Sequence, residues 1–195
     1  VFDRGPFHIK ILAPLSKYRN SIAEKISASL HNTGTANGAD SVSLKELAAK
    51  PWKNGTLTKE NRASIAFELS TKEGEKVLLL GDAHIKDILN GLDCFYPNQE
   101  HPIKYKIIKL SHHGSKNNFC PAFIQKVHAD IFLVSTNGDF FGHPDKEVIA
   151  QIICNTDSII GFNYGERKDS LFTKQDFMDF PNLKERVFTT ISCLE

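Results

Sequence analysis

The chain has 195 residues, 41% of them hydrophobic and 24% charged, with a formal net charge of +1. That length can bury a core of its own and the composition is that of an ordinary soluble globular protein, so disordered and fibrous classes are excluded. A charge this near neutrality argues against a broad electrostatic footprint for nucleic acid, and apolar runs such as VLLL at 77–80 are far too short to span a bilayer.

In chain order, FHIKILAP at 7–14 alternates apolar and polar residues and reads as a strand stopped by Pro14. SKYRNSIAEKISASL at 16–30 sets Ile22, Ile26 and Leu30 at steps of four behind a serine cap, which predicts a helix. A polar, glycine-containing loop follows at 31–40, then a short helix, SLKELAAK at 43–50, ended by Pro51, then a second loop. SIAFELS at 64–70 and KVLLLGD at 76–82 flank TKEGE and read as a hairpin; the four consecutive apolar residues of its second strand predict burial on both faces. HIKDILNGLD reads as a helix and KYKIIKL, ending at Leu110, as a strand. A helix at 119–128 puts Phe123 and Val127 one turn apart. DIFLVST at 130–136 is a strand, DKEVIAQIICN at 145–155 a helix, and SIIGFNY at 158–164 and RVFTTIS at 186–192 further strands. The alternation predicts an α/β fold with a mixed β-sheet flanked by helices. With no repeat or linker, the expectation is one domain over 1–195, in which 156–195 forms a C-terminal extension packed on the rest. The aromatic residues of that tail read as core or as a stacking surface.

Four cysteines, Cys94, Cys120, Cys154 and Cys193, are widely spaced with no C-x-x-C pair. Free thiols in a reducing cytosol are the simpler reading, and no basic-then-apolar signal segment opens the chain. A cytoplasmic location follows as an expectation.

Three successive strand ends carry coordinating chemistry: Asp82 after KVLLLG, His112 and His113 after KYKIIKLS, and His143 in the loop after DIFLVST. Ligands of alternating α/β sheets bind beyond the carboxyl ends of strands, and parallel neighbours lie ~4.8 Å apart, so these groups can meet. Carboxylate and imidazole together suit zinc, manganese or iron. Each also has a plainer role: Asp82 as the cap of the next helix, the histidine pair as a surface turn, Gly142-His143-Pro144 as a tight turn. His8, His31, His84, His101 and His128 lack such a setting. Lys104, Lys106, Lys109 and Lys116 surround the pair, as a solvated face or a local basic strip. Ser111, Ser115, Lys116 and the main chain around Gly114 offer donors for a phosphate oxygen.

The ordered trio LLLGDA, HHGS and GHP followed by an EVI-type helix resembles the carboxyl-terminal half of the metallo-β-lactamase fold, over roughly residues 7–155. It is most similar to the metallo-hydrolase domains of ComEC-type DNA-uptake proteins. The resemblance implies an αββα sandwich, Asp82 as a metal-bridging carboxylate, His143 as a late metal ligand, and His112 or His113 beside the scissile phosphate. It also matches Asn61 and Ser64 to the stretch before the GDA strand. The family's H-x-H-x-D-H run is nowhere in this chain. With Val1 first and Met178 the single methionine, the expectation is the back half of a longer protein, its partner half lying upstream.

On that resemblance the protein is expected to be a metal-dependent hydrolase, a phosphodiesterase or nuclease in kind, using one or two zinc or manganese ions held weakly or not at all by this portion. Phosphodiesters or nucleic acid are the expected substrates, with an imidazole protonating the leaving oxygen. The competing expectation is a non-catalytic binding or regulatory module on the same fold, with a degenerate metal site.

Overall fold

The computed structural model describes residues 1–15, 18, 38–53, 55 and 59–190. The helix expected at 16–30, His31 and Cys193 lie outside the described residues. The fold is α/β. Among the described residues eight strands form one mixed sheet in sequential order: β1 Phe2–Arg4, β2 Phe7–Ala13, β3 Ala66–Thr71, β4 Lys76–Leu79, β5 Ile103–Lys109, β6 Val127–Val134, β7 Ile159–Phe162 and β8 Val187–Thr189. The first four pair antiparallel and the last five parallel, so β4 belongs to both halves. The expected hairpin is β3–β4.

Parallel neighbours need crossovers, and helices supply them: α3 Ile85–Phe95, α4 Pro121–Lys126, α5 Lys146–Asn155, then α6 Gly165–Leu171, α7 Lys174–Asp179 and α8 Leu183–Arg186. Two short helices, α1 Leu44–Ala49 and α2 Lys59–Arg62, precede them. The expected helix at 119–128 is shorter because its last two residues already pair as strand: Val127 opposes Ile103 and His128 opposes Lys104. Residues 156–190 are continuous with the sheet, contributing β7 and β8 to it rather than resting on it as an appendage.

Right-handed crossovers that all step the same way across a sheet put their helices on one face. Burial follows. One cross-strand row, Leu78–Ile108–Phe132–Ile160–Val187, is sealed under the helices and forms the centre of the core. The opposite face carries a second row, Phe2–Ile9–Leu69–Val77–Ile107–Ile131–Ile159, joined in register from β1 to β7 and half-buried or exposed along its whole length. A third row, Ile11–Phe67–Leu79–Lys109–Leu133, runs beside it. The β4 strand, expected to be buried on both sides, buries Leu78 but leaves Val77 and Leu79 on this open side. Its apolar run reflects a covered face and an uncovered one, which composition does not distinguish.

On the helix side two polar clusters are fully paired. Glu68 takes hydrogen bonds from Tyr96 (2.7 and 2.6 Å) and Tyr105 (2.8 Å) and an ion pair from Lys10 (3.0 Å). Asp176 accepts from Lys146 Nζ (2.7 Å), from the Leu44 N–H (2.6 Å) and from Thr173, binding the 40–44 segment, α5 and α7 into one body. Burial would raise both carboxyls, but these bonds outweigh it and hold each below its ordinary value.

Candidate functional site

The carboxyl ends of β4, β5 and β6 are adjacent and point the same way, so the three sequence-picked segments gather at one rim of the sheet. After β4 the chain turns through Gly81 (φ +51), where a Cβ would lie 2.6 Å from the Ile65 carbonyl oxygen and from Ser64 Oγ. Only glycine fits there. The turn brings the Asp82 N–H to Ser64 Oγ (2.9 Å), while Asn118 Nδ2 donates to the Asp82 carbonyl (2.9 Å). The Asp82 main chain is therefore held on both sides. Its carboxylate has no hydrogen bond among the described residues. Capping of the next helix, the plainer role for Asp82, belongs to His84, whose ring accepts from the Lys86 N–H at 3.1 Å.

After β5 the chain enters a tight turn, Ser111–Gly114, in which His112 (φ 43, ψ 48) and His113 (φ 58, ψ 20) both adopt left-handed backbone. Such a conformation costs a non-glycine residue of order 1–3 kcal/mol and persists only where the surroundings impose it. They do so here. The His112 N–H donates to the Gly81 carbonyl (2.8 Å), and the Asp145 N–H to that of Gly114 (3.0 Å). A side chain at Gly114 would strike Pro144 at 2.7 Å. The turn is thus locked against the GDA and GHP segments.

The three imidazoles come together. Ring centroids of His112 and His143 are 5.3 Å apart and those of His112 and His113 6.1 Å, each pair edge to face. His113 Nδ1 lies 2.7 Å from the Ser135 carbonyl, an acceptor, so Nδ1 carries the proton and Nε2 keeps its lone pair. His112 Nδ1 sits between two side-chain amides, Asn61 and Asn118, 3.2 Å from each. His143 Nδ1 is buried and unbonded, with Asp145 Oδ2 at 3.7 Å. Burial lowers the pKa of His113 and of His143; the cation of Lys109 adds to it for His113, while Asp82 and the Ser135 carbonyl oppose it. At His143 the partial relief comes from Asp145. Burial thus favours the neutral form of both rings. The Lys109 ammonium, also half-buried, has its pKa lowered by burial against the pull of Asp82.

The donors expected to take phosphate are placed differently. Ser111 is buried, with Oγ donating to the Ala83 carbonyl (2.7 Å), and Ser115 is buried too. The Gly114 carbonyl is taken by Asp145, the Lys116 N–H donates to Asp145 Oδ2 (2.7 Å), and Lys116 Nζ pairs with Glu147 (2.9 Å). These four shape the turn. The two serines are buried because a loop packed this deeply must pair its own main chain, while the Lys116 ammonium is held at the surface by Glu147. Asn61 does reach the centre, through His112.

Sequence reasoning missed Asn118, Ser135, Asp145 and Arg167. Arg167, buried on α6, donates to the carbonyls of Gly142 (2.7 Å), His143 (3.0 Å) and Pro144 (3.0 Å) and pairs with Asp40 (2.9 Å), so it fixes the loop that carries His143. Nothing local in the sequence marks this role, because the loop oxygens it holds are main-chain groups more than twenty residues away. Two adjacent aromatics in the same loop, Phe140 and Phe141, were visible in NGDFFGHP and passed over.

Imidazole nitrogen and carboxylate oxygen are the right donors for a divalent cation, and the orphaned His143 Nδ1 and unbonded Asp82 carboxylate leave two of them unused. Their number falls short. Among the described residues no group of three or more His, Cys, Asp or Glu side chains is arranged to hold a metal ion, so these residues alone do not fit one. Among them, too, no helix is long and apolar enough to cross a membrane. No protein-family model, curated protein or solved structure matches this chain.

Proposed function

We propose that Asp82, His112, His113 and His143 are this chain's share of a phosphodiester-hydrolysing centre of the metallo-β-lactamase kind. One observation carries the reading: three imidazoles, two of them on strained left-handed backbone, come together beside the neighbouring strand end that carries an unbonded carboxylate. Strain of that sort collects at functional sites. Further donors would come from a second layer over the open sheet face. The apolar rows on that face support such a layer: seven strands ~4.8 Å apart make a surface about 30 Å wide, suited to a second sheet packed ~10 Å away. Such a sheet would end at the same rim as the histidines.

Zinc or manganese would need further donors from that second layer, and only with them would an ion supply a water acidic enough to ionise near neutrality and a positive charge against the phosphate. The chain's own groups divide the remaining work. Asp82, with its main chain clamped, presents an oriented carboxylate. His113, neutral and with Nδ1–H fixed on Ser135, offers a lone pair at Nε2, so it accepts or ligates and does not deliver a proton. That moves the role of proton donor to the leaving oxygen from the pair to His112, which Asn61 and Asn118 orient. His143, buried against Asp145, offers a second neutral nitrogen. Lys109 contributes a cation beside Asp82.

The test is hydrolysis of a bis-aryl phosphodiester and of single-stranded DNA by the full-length natural protein with manganese or zinc. Activity is expected, and Asp82→Ala is expected to remove it; turnover that survives Asp82→Ala sinks the mechanism. The incomplete donor set favours a second reading, a non-catalytic module that binds a partner through the same fold. Elemental analysis separates the two: stoichiometric metal in the full-length protein supports the hydrolase, and none supports the module.

A further inference from the structure

Asn118 is buried in the short turn that follows the paired histidines, and both ends of its amide are engaged. Its Nδ2 donates to two main-chain carbonyls, those of Asp82 (2.9 Å) and Ala83 (3.3 Å), and its own N–H donates to the Ser115 carbonyl (3.0 Å). A side-chain amide has the same shape at either end, so its partners decide which end is nitrogen. Here those partners are carbonyl oxygens. Turning the amide over would set its oxygen 2.9 Å from a carbonyl oxygen, two acceptors with no proton between them. The orientation is fixed.

With Nδ2 committed, Oδ1 is the end that faces His112, 3.2 Å from Nδ1. An amide oxygen only accepts, so Nδ1 carries the proton and, in the neutral ring, Nε2 keeps the lone pair. Asn61 meets the same Nδ1 through its amide nitrogen, also at 3.2 Å. That contact asks for a lone pair where Asn118 asks for a proton, and one ring nitrogen does not serve both. Asn118 prevails because two main-chain carbonyls hold its amide in place, and the Asn61 amide is the one that yields.

We infer that Asn118 is a positioning residue that fixes the tautomer of His112, with the proton on Nδ1, so that any proton His112 exchanges with substrate passes through Nε2. The Ser135 carbonyl sets His113 the same way, so the doubled imidazoles present like nitrogens. The inference deepens the hydrolase reading and rests on it for what Nε2 meets. In the role of donor, His112 keeps Nδ1–H on Asn118 Oδ1 throughout. The second proton passes from Nε2 to the leaving oxygen as the phosphorus–oxygen bond breaks and its electron pair stays with that oxygen, which returns the ring to its neutral form with Nε2 bare.

The experiment is 15N NMR of the full-length protein labelled at histidine, at about pH 9, well above the ordinary histidine range. Protonated and bare ring nitrogens differ widely in shift, and the His112 signals are those lost in His112→Gln. Nδ1 is expected to be protonated and Nε2 bare. Asn118→Ala should lower the ratio of that tautomer to the other about tenfold, the size of one net hydrogen bond, while Asn61→Ala should leave it as in the wild type. A wild-type His112 with its proton on Nε2 overturns the inference, and this spectrum decides even where Asn118→Ala does not fold. So does an unchanged ratio in an Asn118→Ala variant whose circular dichroism matches the wild type, or a ratio that moves with Asn61→Ala instead. Because the tautomer is read without turnover, the two readings fail separately. A bare Nε2 in a protein that hydrolyses no phosphodiester with manganese or zinc would overturn the hydrolase reading alone; hydrolysis by a protein whose His112 is protonated on Nε2 would overturn this inference alone.

Discussion

The two faces of the sheet are built from the same residue types and live in different solvents. On β6, Phe132 is fully buried beneath the helices, while Ile131 and Leu133 beside it look out from the opposite face. On β5, Ile108 is sealed and Ile107 half-exposed; on β7, Ile160 is sealed and Ile159 exposed. The helix face also pairs its buried charges, Glu68 and Lys146 among them, whereas the open face is aliphatic and aromatic with Lys109 set into it. A soluble protein rarely exposes a contiguous apolar surface of this width. The contrast teaches that one side is a finished core and the other an apolar face left uncovered among the described residues.

That contrast can be broken by mutation. Phe132→Ala should cost about 3–5 kcal/mol of unfolding free energy, the usual toll for emptying an aromatic site in a packed core. Ile131→Ala, one residue away, should cost less, about 1–2 kcal/mol, since part of that side chain stays in water. Urea unfolding followed by circular dichroism reads both. Equal costs would mean that the open face is already covered.

Removing half of the sealed ion pair should come next in size. Lys146→Met leaves Asp176 buried without its cation and should destabilise by about 3 kcal/mol, while the double change Lys146→Met with Asp176→Leu should recover part of the loss. A double variant worse than the single would show that Asp176 works through its bonds to Leu44 and Thr173 instead.

The smallest expected effect is in acid. Glu68 is held below its ordinary value of 4.5 in the folded protein, so the unfolded chain binds its proton more readily. Its contribution is complete above about pH 4.5 and drains away as the pH falls through the lower folded value. The stability difference between wild type and Glu68→Gln should therefore be constant at higher pH and shrink below about 4.5. A difference that grows there would reverse the assigned direction.

Much of this architecture is legible in sequence because strands and helices announce themselves locally. The hairpin at 64–82, the strand before the paired histidines and the helix after GHP follow from alternation, turn residues and periodicity. So does the candidate rim, since Asp82, His112 and His113 stand just after apolar runs, His143 lies in the loop after another, and sequential parallel strands bring such ends together. The roles of the neighbours were not legible. Ser111 and Ser115 look like phosphate donors in HHGS but are buried, because the turn is packed beneath Pro144 and the GDA segment. Arg167 looks like one more surface charge and instead secures the His143 loop.

Sequence by itself determined most of the strands, though not β1 or the start of β6, that the class is α/β, and that a carboxylate and three imidazoles follow strands, since all of these depend on side-chain period and on neighbours a few residues apart. Tertiary structure alone decided which side of each strand is covered, which histidine nitrogen is left bare, and which loop turns its aromatics toward water. Those outcomes depend on what packs against each group from distant parts of the chain. An isoleucine reads the same whether it meets a helix or solvent.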